Sequence, residues 1–139
     1  MRVSGHNVLA ILVAALAMYL IEFLIFAVAI SPAQFMAMSG MSAEQGAAIG
    51  LSRMPLGPLM PILAAIGLSL AIKWRGAQGV HLGAGAGAAT GLILALLLGF
   101  SSRMYGYVYG PHTEAYLLID LGRYLVTYGV AGAILGAWK

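Results

Sequence analysis

Cysteine is absent from the 139 residues and charge is scarce, with 8% of positions Asp, Glu, Lys or Arg. The first absence removes disulfides, thiolate nucleophiles and thiolate metal ligands. The second sets the chain apart from soluble domains, in which roughly one residue in four is charged. Four acids face seven Lys and Arg, and the isoelectric point lies near 9.5. The cations are too few and too dispersed for a nucleic-acid footprint. No cofactor fingerprint is present either: the glycine-rich run Gly83 to Gly91 lacks a following Lys and sits inside an apolar stretch, unlike a phosphate loop. His6, His81 and His112 share no helix at ligand spacing, so no metal site is expected. The serines have no acid–base partner at triad-like spacing, and no nucleophile elbow is found. An enzyme would be left with Glu22, Arg123 and Asp120, or with His112 and Glu114, as its only polar clusters. A non-enzymatic protein is expected.

What the chain has instead is apolar length. Hydrophobic residues make up 62% of it, and the mean hydropathy is +0.96. Four runs, over 7–30, 55–72, 79–100 and 115–138, fill most of the sequence. A hydrocarbon core of about 30 Å needs about twenty helical residues at 1.5 Å each. The pattern therefore predicts an all-α membrane protein, a single domain over 1–139 with four transmembrane helices in an antiparallel bundle. The first run exceeds the 7–15 residues of a secretory signal core and contains Glu22, so it is read as a retained span despite the small-x-small triplet Ala27-Val28-Ala29.

Charge sets the orientation. Arg2, Lys73, Arg75 and Lys139 mark one side with no acid among them, whereas the other side pairs Arg53 with Glu44 and Arg103 with Glu114. The positive-inside rule places both termini in the cytoplasm. Trp74 and Trp138 at that interface, and Tyr105, Tyr107, Tyr109 and Tyr116 at the opposite one, agree with it. In the first connection, Ser42 followed by Gln45 is a capping-box pattern that predicts a short interfacial helix over 43–51, with Met36, Met38, Met41 and Ile49 toward lipid. Pro55, Pro58 and Pro61 open the second span, and a bend is expected near Pro61. The second connection, 73–78, is short enough to make spans two and three neighbours.

Span three repeats Gly79, Gly83, Gly87 and Gly91 at four-residue steps and continues through Ala95 and Gly99, while Gly132 and Gly136 form a shorter series in span four. In lipid, such small-residue faces allow backbones to approach and pack by dispersion. The partner can be span one or four of the same chain, or a second copy. Three ionisable groups lie within the spans, Glu22 in the first and Asp120 with Arg123 in the fourth, and each is costly in hydrocarbon unless paired. Asp120 and Arg123 share a helical face. Glu22 and Arg123 both fall about 12 Å below the same boundary at 1.5 Å per residue. One reading is a buried cluster that fastens span one to span four. The other is a polar cavity in which a carboxylate exchanges protons or an arginine holds an anion. Tyr19, three residues before Glu22, can donate to its carboxylate, but it and Tyr128 are read as core aromatics. His112 and Glu114 are read as a polar pair at the head of span four.

Several stretches resemble a bacterial family of small four-span membrane proteins of unknown function. They are the run Asn7 to Tyr19, then Phe23 to Phe26, then Met36 to Met41, and in the last span Leu117 to Asp120, Tyr124 to Tyr128 and Gly132 to Trp138. The resemblance covers nearly the whole chain and implies a fold without an activity. The chain departs from it at Glu22, where a small residue is usual, and at Ile25-Phe26, where an aromatic pair is usual. Together these features predict a bacterial inner-membrane, multi-pass bundle with a structural or accessory role, whose partners are the lipid bilayer and either a second copy or a larger membrane complex. The alternative is a small dimeric proton-coupled or anion transporter using Glu22, Asp120 and Arg123.

Overall fold

The computed structural model describes residues 2–3 and 5–138 and is built almost wholly of helices. Lys139, used above for orientation, lies outside the described residues, as do the side chains of Arg2 and Ile49. Four helices are long and apolar enough to cross a membrane: span one Val8–Ala29, span two Leu59–Ala77, span three Ala84–Val108 and span four Glu114–Ala137.

Two of these differ from the sequence expectation, each for a local reason. Span two starts at Leu59 because Met54–Leu56 form a 3-10 turn and Pro58 caps the helix. It then runs on through Lys73, Trp74 and Arg75 to Ala77, and Arg75 turns its guanidinium inward to Thr90 of span three. Pro61 is the third residue of this helix, where an N–H would lack an intrahelical acceptor, so the expected bend has no cause there. Span three starts only at Ala84, since Gly79 turns the chain with φ +84° and Gly83 is extended. At its far end it passes the expected limit at Phe100 and continues to Val108. Ser101 and Ser102 donate to the carbonyls of Leu97, at 2.5 Å, and Gly99, at 2.7 Å. Their hydroxyls are thus satisfied by the helix's own carbonyls.

Span four is the hub and packs against each of the other three, most extensively against span three. Spans two and three, expected as neighbours, touch more sparingly and are tied by Arg75 Nη1 donating to Thr90 Oγ1 at 2.6 Å. The distribution of side chains is inverted relative to a soluble protein. Asp120, Arg123, Thr127 and Thr90 are buried, whereas Leu12, Leu16, Leu20, Leu63, Leu97 and Leu118 are exposed. Small residues dominate the core around Met18 and Leu68: Ala10, Ala14, Ala15, Ala65 and Ala131. Such a surface suits lipid, where an apolar exterior costs nothing and close interior packing supplies cohesion.

The two ends are closed differently. At one, Arg2–Val3 and His6–Asn7 pair as a short antiparallel hairpin turning at Gly5, φ +78°, and His6 Nδ1 meets Ser69 Oγ of span two at 2.8 Å. Asn7 then caps span one by accepting from Ala10 N. At the other end two short helices, Pro32–Ser39 and Ala43–Arg53, fill the first connection. The second is the helix expected from Ser42 and Gln45, whose reciprocal bonds measure 2.9 and 3.2 Å. The first has the same capping box, between Ser31 and Gln34, with Pro32 at its start and Gly40 in the left-handed region at its end. It docks on the head of span four: Met38 O accepts from Thr113 N at 3.0 Å, and Thr113 Oγ1 caps that span by accepting from Tyr116 N. His112, expected to pair with Glu114, stands edge-on to the Tyr116 ring at 4.7 Å.

Candidate functional site: four charges beside a cavity

Four ionisable side chains from three spans converge near the end capped by the short helices. Asp120 and Arg123 lie one turn apart on span four, and Arg123 Nε donates to Asp120 Oδ1 at 2.9 Å. Arg123 Nη1 donates to Glu22 Oε1 of span one at 2.6 Å. Arg103 Nε, from the extension of span three, lies 3.1 Å from Asp120 Oδ2, an ionic contact without hydrogen-bond alignment. Two cations meet two anions, so the cluster is neutral as a whole. That balance is what allows charges to persist away from water, where an isolated ion costs several kcal/mol.

Burial is graded across the cluster. Side-chain exposure is 1% at Asp120 and 8% at Arg123, against 24% at Glu22 and 39% at Arg103. The first pair is locked in and the second can reach solvent or ligand. Aromatic rings cover the guanidinium of Arg123, with Tyr124 at 4.1 Å and Phe26 at 5.8 Å from its centre, contacts that favour a cation over a ring face. Phe26 in turn meets Phe35 of the Pro32–Ser39 helix, and Phe35 meets Tyr116, each at 5.9 Å. The short helix therefore helps roof the cluster.

Both contributing neighbours widen near the charges. Span one has a π-helical stretch at Leu24–Ala29, just beyond Glu22, and span three has one at Ala95–Phe100, just before Arg103. Such turns insert an extra residue and redirect the following side chains, and they recur at functional sites. A cavity of about 190 Å³ lies against the cluster, lined by Glu22, Arg103, Arg123, Tyr124, Tyr128 and the first turn of span two at Met60 and Pro61. Among the described residues, Arg123 Nη2 is buried without a hydrogen-bond partner.

The glycines of the two series fall into three groups, apart from Gly83, which precedes span three, has open space where a Cβ would stand and contributes only its carbonyl to the contact. Gly87, Gly91, Gly132 and Gly136 form a backbone-to-backbone contact between spans three and four: a Cβ at Gly87 would overlap Gly132 O, one at Gly91 would overlap Tyr128 O, and one at Gly136 would overlap Gly83 O. Gly99 faces the Tyr124 ring. Gly79 lies in the turn before span three and has open space around it, so it takes no part in helix packing. Of the alternatives left open by the sequence, the observed partner of this face is span four of the same chain.

Tyr19 departs from its expected role, being 40% exposed and lining a separate apolar groove with Leu16, Pro58 and Pro61. Tyr128 is half-buried and lies beside Tyr124, its ring tilted at 59° with 5.6 Å between centroids. Arg103 escapes a reading from the sequence because the apolar run of span three ends at Phe100. Its signal was nonetheless present: continuing the four-residue series through Gly99 arrives at position 103, and no Pro intervenes before Pro111. The His6–Ser69 contact joins residues 63 positions apart and has no local signature. No family model, curated protein or solved structure matches this chain.

Proposed function

We infer that this chain is a non-enzymatic, multi-pass protein of the bacterial inner membrane, with antiparallel spans and both termini in the cytoplasm, serving as a structural or accessory helix bundle. Membership of the small four-span family resembled by its terminal motifs belongs to the same proposal. One observation carries the reading: the features most costly to leave against lipid are turned on one another inside the chain. The glycine faces of spans three and four are consumed by mutual contact, and the four charges neutralise each other. What remains outside is leucine-rich surface for lipid or for a membrane partner. Purification from native membranes in mild detergent tests this. A second membrane protein, or a second copy, should elute with it in fixed ratio; a lone monomer that carries solute flux after reconstitution would contradict it.

A second reading, a small transporter, is favoured by the cavity that touches Glu22, Arg103 and Arg123. Intramembrane carboxylate–arginine pairs beside a water-sized space are how proton and anion pathways are built.

A further inference from the structure

We propose that the cavity beside the cluster binds one small oxyanion together with one proton, the proton residing on Glu22. The inference rests on the transporter reading and specifies its ligand. Asp120 holds both arginines through Nε, so that the Nη1 end of Arg123 is the part given to Glu22. Two arginines lining one cavity match the charge and planar hydrogen-bonding of an oxyanion. A further observation points to a ligand, since Arg123 is more than nine-tenths buried, lines the cavity and keeps Nη2 without a protein partner. At about 190 Å³ the space is well above the roughly 10–15 Å³ that a single water requires, enough for an anion of nitrate or formate size.

Charge balance supplies the proton. With Glu22 and Asp120 ionised against two arginines the cluster is neutral, and a monoanion entering alone would leave an uncompensated charge in a low-dielectric interior. When Glu22 takes a proton from water, it gives up its ionic hold on Arg123 Nη1, and the anion takes its place there. The sum is one proton and one monoanion bound, with no net charge gained. The groups facing Glu22 are Arg123, Tyr124 and Tyr128 from span four, with Asp120 behind Arg123, and Arg103 from span three; span two contributes only Met60, Pro61 and Ala64, which do not titrate. Tyr19 on its own span lines the separate groove.

Nitrate, which stays ionised, is the probe. Titrated into the full-length protein in detergent, it should bind saturably with uptake of about one proton per nitrate. Its affinity should fall about tenfold for each pH unit of rise once Glu22 is ionised. Glu22→Gln should bind nitrate without proton uptake and with no dependence on pH, and Arg103→Gln should weaken binding at least tenfold. Should Glu22→Gln fail to fold, infrared difference spectra of the wild type should show a protonated carboxyl band appearing with nitrate. Nitrate bound with no proton taken up, or proton uptake persisting in Glu22→Gln, would overturn the coupling. Absence of saturable binding to the wild type would overturn the site and the transporter reading together, leaving the accessory reading intact.

Discussion

Span four meets its neighbours in two different ways along one helix. Toward its carboxyl end, Gly132 and Gly136 lie against the backbone of Gly87 in span three and of Gly83 just before it. Toward its amino end, Asp120 and Arg123 reach Glu22 and Arg103 through charged atoms. The first contact works by removing side chains: many weak dispersion contacts form only when nothing keeps the backbones apart. The second works by completing a set of charges, and it leaves a cavity and two π-helical stretches around it. One region is intolerant of size and the other of charge imbalance. Their difference locates rigidity in the glycine half and adaptable chemistry in the charged half.

The largest effect that would break this contrast is expected at Asp120. Asp120→Ala strips Arg103 of its acid and leaves Arg123 with Glu22 alone, and removing a partner from a buried pair costs about 3–5 kcal/mol. Detergent unfolding should show that loss. A variant within about 0.5 kcal/mol of wild type, the range of ordinary surface changes, would mean that the charges are solvated rather than mutually held.

Next comes size. Gly87→Leu forces a side chain into the Gly132 carbonyl and should cost at least about 1–3 kcal/mol by overpacking. Gly122→Ala, on span four with nothing within contact of an added Cβ, should change stability by no more than about 1 kcal/mol. Equal losses in the two variants would erase the distinction between contact and open glycines.

How far the chain's pattern reveals this arrangement depends on how local each feature is. The four spans follow from apolar run length, a property of consecutive residues. The pairing of Glu22 with Arg123 could be anticipated from depth alone, since both count to about 12 Å from one boundary at 1.5 Å per residue. Helix ends were harder. Hydropathy falls at Ser101 and Arg103, yet span three continues to Val108 with both serine hydroxyls bonded to its own carbonyls, so the apolar pattern alone makes Arg103 a loop cation. At Lys73 to Arg75 the reverse holds, because helix-forming polar residues extend span two past its apolar run. The Pro32–Ser39 helix was legible in principle, as Ser31 and Gln34 repeat the spacing of Ser42 and Gln45. The four-residue glycine series showed that a close contact exists; only the packing of spans three and four supplies its partner. Contacts such as His6 with Ser69 depend on the whole bundle and could not be read from either neighbourhood.

The most direct measurement is a double-mutant cycle on Glu22→Gln and Arg123→Gln, read as unfolding free energy in detergent. The expected result is a coupling of about 0.5–3 kcal/mol, with the double variant losing less than the two single losses added together. Strictly additive losses would contradict a direct ion pair between spans one and four.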